Sequence, residues 1–306
     1  MKLILQYTKY ILFVLPFAFT LTSCEIINPS EDIPFYLRID SISFIDSTKS
    51  PIGPAKKGSQ NIQDAWVFVD GILVGNFELP AEFPVLAKAG AHTVRVSPGV
   101  VVNTLSDDRR IYPFFNSYPL SVNVELGKTY TIKPVCSDDP SSIKYPSEGT
   151  GQFPETFEGI GTIFRYTLNS KVDTISRTSN ADLVFDGNFS MLMEMNSTDD
   201  YMEFETVKEY TLPTNSRPVY LEFNYRTDVN LNIGFYATNI NTNEVDDVNL
   251  IILLPTNDSW KKAYLSFGAI LNKYSGAKYR FYFKANHDSG RTTSKVLLDN
   301  VRLIYK

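Results

Sequence analysis

Side chains able to do chemistry are sparse in this chain of 306 residues, which has two histidines, His92 and His287, and two cysteines, Cys24 and Cys136. Those four are too few and too scattered for a zinc cluster. There is no G-x-S-x-G elbow, no P-loop and no G-x-G-x-x-G after a strand pattern. Adjacent acids recur at Asp107-Asp108, Asp138-Asp139, Asp199-Asp200 and Asp246-Asp247. A glycosidase needs two carboxylates facing each other across roughly 5–9 Å, whereas neighbours on a strand point to opposite faces. These pairs read as solvated turn acids. "NHDSGR" (286–291) sets His287, Asp288 and Ser289 in a row. A catalytic triad, however, is assembled in space and not along the chain, so this stretch reads as a hairpin loop. His92 lies in an alternating strand pattern and reads as a hairpin residue. Trp66 and Trp260 could offer flat faces to a sugar, but Trp260 opens the strand-like "WKKAYLSF" and is expected at the core or its edge. No residue is nominated for catalysis, and the chain is expected not to be an enzyme.

Cys24 is the exception. It follows Lys2, Lys9 and the apolar run "YILFVLPFAFTL", which is shorter than the roughly 20 residues of a membrane span and reads as a signal peptide. The leader closes with Leu21-Thr22-Ser23-Cys24, which resembles the bacterial lipobox. That resemblance implies a diacylglyceryl thioether on Cys24, cleavage before it and acylation of the new amino terminus, palmitate being a common chain. Several acyl chains make such anchoring stable. The rivals are an ordinary leader with an incidental cysteine and a Cys24–Cys136 disulfide. If Cys24 is lipidated, Cys136 has no partner. The expected location is the bacterial cell envelope, lipid-anchored, at the outer membrane. The formal net charge of −5 becomes −7 without the leader's two lysines, which argues against nucleic acid as a partner.

The elements that would position any site are strands. Segment 25–34 reads as a polar tether. "FYLRIDSISFI" (35–45) alternates at period two, and "VFVDGILVG" (67–75) carries Asp70-Gly71, the strongest short hairpin signal. Further pairs turn at Ala89-Gly90 and Leu126-Gly127-Lys128. Segment 137–156, with Pro140, Pro146, Pro154, Gly149 and Gly151, reads as a linker. From 157 onward about ten short strand patterns follow, "ADLVFDG" (181–187) among them, which suits a sandwich or jelly roll. The apolar run Leu250–Leu254 predicts a central strand covered on both faces.

"VFVDGILVGNFELP" followed by "AGAHTVRVSPG" resembles the PEGA-type β-module, although "VVNTLSDDRRIYPFFNSYP" (101–119) is an insertion. The first half is similar to the amino-terminal part of Bacteroidetes-type envelope lipoproteins. "FEGIG" (157–161), "FDGNFSMLMEM" (185–195) and "VLLDNVRLIY" (296–305) together resemble jelly-roll carbohydrate-binding modules and wider galactose-binding-like folds. This resemblance implies a polysaccharide ligand and, carried onto Glu158 and Asp299, a structural calcium ion. Two carboxylates fall short of the six to eight oxygens that calcium takes, and turn or edge acids without metal are the alternative. The reading is therefore an all-β chain, a small β-sandwich followed by a β jelly roll. Its segments are a signal peptide (1–23), tether (24–34), PEGA-like β-sandwich (35–136), linker (137–156) and jelly roll (157–306). The expected function is non-catalytic glycan binding at a membrane. The alternative is a structural or assembly lipoprotein contacting another envelope protein.

Overall fold

The computed structural model describes residues 32–45, 60–146 and 153–306. The leader, Cys24 and most of the tether lie outside the described residues.

Alternating apolar residues build ten strands in the amino-terminal unit: β1 (Phe35–Ile39), β2 (Ser43–Ile45), β3 (Asp64–Val69), β4 (Ile72–Glu78), β5 (Ala81–Val85), β6 (Gly90–Val101), β7 (Arg109–Ile111), β8 (Tyr118–Val124), β9 (Thr129–Ile132) and β10 (Val135–Ser137). One sheet runs β5-β1-β9; the facing sheet runs β4-β3-β6-β7, with β8 also on β6. Phe35, Leu37 and Ile39 of β1 meet Val67, Val69, Val94 and Val96 in a closed core. The Asp70-Gly71 turn forms as expected, both residues having positive φ (51° and 83°) as a type I′ turn demands. His92 joins this turn by two contacts, its Nδ1 lying 2.6 Å from Asp70 Oδ2 and its Nε2 2.7 Å from the Lys88 carbonyl. The Asp70 hydrogen bond raises its pKa. Both ring nitrogens are thus engaged in holding a hairpin.

The carboxy-terminal unit is a sandwich of two five-stranded sheets. Its strands are β11 (Phe164–Tyr166), β12 (Ser176–Thr178), β13 (Ser190–Met195), β14 (Tyr201–Thr206), β15 (Val219–Thr227), β16 (Leu231–Asn239), β17 (Val245–Leu253), β18 (Lys261–Ser266), β19 (Ala277–Asn286) and β20 (Ser294–Tyr305). The front sheet is β11-β14-β19-β16-β17 and the back sheet β12-β13-β20-β15-β18. The all-β expectation is met. Inward positions alternate with outward ones: Met202 and Phe204, Ile233 and Phe235, and Phe281 and Phe283 are all buried in one core. Phe204 stacks on Phe283 at 5.0 Å. Full burial of each such side chain contributes about 1.5–3 kcal/mol.

Two expectations are corrected. Leu250–Leu254 is not a covered central strand: β17 is an edge strand, with Ile252 51% and Leu254 68% exposed. A register shift opposite Ile233 and Gly234 breaks its alternation, and that is why the apolar run misled. "ADLVFDG" forms turns, not a strand. The described part of 137–156 is tied down: Ser137 pairs with Ile45, Asp138 bridges to Phe115 and Lys144 to Tyr305.

The insertion 101–119 is what joins the two sandwiches. After β6 the backbone takes positive φ at Asn103 and Thr104 (52° and 54°). Asn103 then exchanges hydrogen bonds with the back sheet, its N–H donating to the Tyr264 carbonyl at 2.9 Å and its side-chain oxygen accepting from Ser266 N–H at 2.9 Å. Tyr112, Phe114 and Phe115 bury against Tyr220, Tyr264 and Ile304. The Tyr112 hydroxyl donates to Glu222, a fully buried carboxylate that Lys262 meets at 3.3 Å and Arg302 at 3.8 Å. Burial alone would raise the Glu222 pKa, but Arg302 and Lys262 outweigh it and hold the carboxyl below its usual range. Cys136, buried in β10 opposite Phe44, borders this cluster. Burial pushes its thiol up to about 12.

Candidate functional site

With the back sheet covered by the insertion, the front sheet presents the open face of the larger sandwich. Antiparallel register lines up its outward residues in rows. Glu203 of β14 faces Lys284 of β19, which faces Asn232 of β16, which faces Ile252 of β17. The next row is Glu205, Tyr282, Gly234 and Asn249. Gly234 is required by a close approach: a Cβ there would collide with the Val248 carbonyl and the Tyr282 phenol. Its absence lets the Tyr282 phenol pack against Gly234, with the Tyr282 ring 4.9 Å from the Tyr236 ring.

Glu203 is the anchor of the site. It stands on the outward face, yet is only 2% exposed. The Tyr201 hydroxyl donates to its Oε2 at 2.7 Å and the Tyr236 hydroxyl to its Oε1 at 2.5 Å. Burial, aided by these bonds, raises both phenols far above their ordinary range. They remain neutral donors inward, and each phenol oxygen keeps lone pairs for a ligand. Lys284 Nζ lies 3.8 Å over the Tyr282 ring and 4.9 Å over the Tyr236 ring. It is held by Asp247 at 2.9 Å and approaches Glu203 at 4.0 Å. Alongside, Glu205 binds Arg165 at 2.6 Å and Arg280 at 3.2 Å.

Above this network lies a shallow depression of about 470 Å3 lined by Tyr201, Asn232, Asp247, Asn249, Tyr282, Lys284 and Asn286. A second, of about 370 Å3, shares Asn232 and Asn286 and continues past Asn230 and Ile252 to Asp228 and Asp288. The two meet at Asn232 and Asn286 and form one groove walled by amides and acids. Asparagine offers both donors and an acceptor, which suits a ligand rich in hydroxyls. The Tyr236 and Tyr282 rings lie beneath Lys284, so the depression presents polar edges and not an open stacking platform.

The residues nominated from sequence lie elsewhere. Glu158 Oε1 accepts the backbone N–H groups of Asn188 and Phe189 at 2.8 and 2.9 Å. Asp299, fully buried, accepts from the Asp186 N–H at 3.1 Å, the Ser190 hydroxyl at 2.7 Å and the Asn300 N–H at 2.7 Å. Burial is the main cause that pushes the Asp299 carboxyl up to about 6. Both acids hold the 185–190 loop, with N–H and O–H donors directed at the oxygens a cation would need. As arranged, the pair does not fit calcium. No group of three or more His, Cys, Asp or Glu poised for a metal occurs among the described residues. Of the paired acids, Asp247 belongs to the groove, Asp138 pairs with Arg302 at 3.0 Å across the interface, and Asp200 pairs with Lys171 at 2.7 Å. Trp260 packs on Phe185 at 5.3 Å away from the groove.

The groove residues were missed, although their signal is in the sequence. Tyr201, Glu203 and Glu205, or Arg280, Tyr282 and Lys284, occupy every second position between buried Phe and Met. A strand whose outward positions carry tyrosines and charges, where Thr and Ser would suffice, was readable as a site.

No protein-family model matches this sequence, and no curated protein matches it. Solved structures with similar folds include carbohydrate-binding modules. A structure from work on the promiscuous specificity of carbohydrate-binding modules of the β-sandwich superfamily is 10% identical, with a TM-score of 0.40, covering 90% of this chain and 99% of that one. CBM28, specific for non-crystalline cellulose, is 14% identical, with a TM-score of 0.36, covering 51% and 94%. TmCBM61, in complex with β-1,4-galactotriose, is 13% identical, with a TM-score of 0.31, covering 47% and 88%. These ligands belong to those proteins.

Proposed function

We propose that this protein is a non-catalytic glycan-binding protein of the bacterial envelope, tethered through Cys24, that holds a polysaccharide along the front-sheet groove. The observation that carries this reading is the buried Glu203 fixing Tyr201 and Tyr236 beneath a row of amides. A side-chain network this closely braced, on the open face of a sheet, is preorganised for hydroxyl recognition. Catalysis is disfavoured because Glu203 is roofed by two tyrosines and Lys284, and Asp247 is committed to Lys284. The lipobox-like Leu21–Cys24 supports the tether.

The test is affinity electrophoresis of the mature chain against a panel of soluble neutral and acidic polysaccharides. Retardation by at least one is expected. Asn249→Ala, at an exposed position, should weaken it at least tenfold at unchanged melting temperature, and Lys284→Ala should weaken it as well while lowering the melting temperature, because it leaves the buried Glu203 without its nearby cation. No retardation across the panel, or retardation indifferent to both substitutions, overturns the proposal.

A further inference from the structure

The amino-terminal sandwich has one end unlike the rest of its surface. Three loops meet there: the Asp70-Gly71 hairpin tip, the β5–β6 loop and the Leu126–Lys128 turn. His92 binds the first two to each other, contacting both Asp70 and the Lys88 carbonyl, and stacks on Phe35 at 6.2 Å. The Asp70 N–H also donates to the Thr93 carbonyl at 2.8 Å. Gly90 pairs with Val124, which sets the third loop beside the second. Each loop displays apolar side chains. Ile72 is 74% and Leu86 70% exposed, and Leu73 and Leu126 are exposed as well. Lys88 and Lys128 stand among them and are exposed too. Isolated exposed leucines need no explanation. Four at one end of a small sandwich, two opening β4 and two in the neighbouring loops, leave that end more apolar than water favours.

The chain entering the fold arrives at this same end. The Gly127 N–H donates to the Pro34 carbonyl at 2.8 Å and the Tyr36 N–H to the Lys128 carbonyl at 2.8 Å, and exposed Ile33 lies just before them. The eleven residues from Cys24 to Pro34 can span no more than about 40 Å. If acyl chains hold Cys24 at a bilayer, this end is the part of the protein they hold nearest to it.

The geometry points to this end as a membrane-contacting surface: Ile33, Ile72, Leu73, Leu86 and Leu126 enter the headgroup region while Lys88 and Lys128 remain at its polar level. The inference rests on the tether reading of Cys24. Held beside the bilayer by the anchor, weak apolar contacts become intramolecular and are populated without strong affinity of their own. Lysine stems lie along apolar surface while their ammonium groups stay in water. With a net charge of −7 for the mature chain, attraction to anionic lipid is not the driving force, and the contact should persist at high salt. Seated this way, the small sandwich has a fixed orientation to the membrane, and the larger one is carried on it by the Tyr112 interface.

The test replaces the natural anchor with an artificial one, so that it does not depend on acylation. The chain from residue 25 onward carries an amino-terminal His tag and is bound to phosphatidylethanolamine–phosphatidylglycerol vesicles containing a nickel-chelating lipid. An environment-sensitive dye is attached at Leu86→Cys, or, as control, at Leu168→Cys, fully exposed on the large sandwich. The dye at 86 should shift to the blue and be shielded from aqueous iodide at least threefold relative to the dye at 168, in low and in high salt. Ile72→Asp with Leu73→Asp should abolish the shielding without lowering the melting temperature. Equal quenching at the two positions overturns the inference. So does shielding at 86 that needs an added envelope protein, because the surface would then bind protein and not lipid. The anchor is judged separately, by fatty-acid analogue labelling of Cys24 in cells. Absence of label there overturns the tether and leaves the vesicle result to stand.

Discussion

Asp299 shows how a single carboxyl can decide between two accounts of the same loop. Its oxygens are closed off from water and taken up by Ser190, Asp186 and Asn300. With the folded pKa at about 6 against roughly 3.9 in an unfolded chain, the folded state holds the proton more tightly. The contribution of this group is therefore favourable below about pH 4 and is lost as pH rises to about 6. Ionised at neutral pH, Asp299 costs the fold about 3 kcal/mol. A bound calcium ion would invert that sign by stabilising the carboxylate. Urea denaturation at pH 5 and pH 7 measures the difference. The wild type should gain stability at pH 5, and Asp299→Asn should remove most of that gain. Chelator or added calcium should leave the melting temperature unchanged. A calcium-dependent rise that disappears in Asp299→Asn would show that the loop rearranges to take a metal.

At the scale of strands, the front sheet depends on the flatness of β16 at Gly234. Gly234→Ala would drive a methyl into the Val248 carbonyl and the Tyr282 phenol. Overpacking of this kind costs roughly 1–3 kcal/mol. Here it would also lift Tyr282 and Lys284 out of register, so glycan affinity should fall more than stability does. Calorimetric melting and affinity electrophoresis on one preparation separate the two. A loss of stability with full binding would mean that the rows above Gly234 are not the site. Much of this architecture was legible in the sequence, because alternation at period two is a local property: β14, β16 and β19 could be read from their alternating apolar positions. The edge position of β17 could not be read, since it depends on which strand finds a partner and on a register shift. Nor could the 101–119 insertion be assigned. Its Tyr112 meets Glu222 more than a hundred residues away, and no local pattern marks a contact of that range. Whether Glu158 and Asp299 meet a cation or N–H groups is a matter of side-chain geometry, which no local pattern records.

Across the whole molecule, the two sandwiches share a buried interface that carries charge. Tyr112 both fills it and supplies a hydrogen bond to Glu222. Tyr112→Phe removes only that bond, and a hydrogen bond to a charged group is worth about 1.5–3 kcal/mol. Tyr112→Ala opens a cavity as well, for about 3–5 kcal/mol in total. The wild type should unfold in one calorimetric transition, and Tyr112→Ala should split it into two. A single undivided transition in the alanine variant would mean that other contacts couple the units. Cys136 gives this coupling a clock. Beside the cluster, its thiol is buried and pushed up to about 12, so it lacks both access and the nucleophilic thiolate that disulfide exchange requires. Native protein should therefore resist alkylation and mixed-disulfide formation for as long as the interface stays shut. The rate of labelling then counts openings, one modified sulfur for each molecule caught apart. In an oxidising compartment the same shielding keeps two copies from becoming covalently joined through Cys136, so burial alone silences this sulfur.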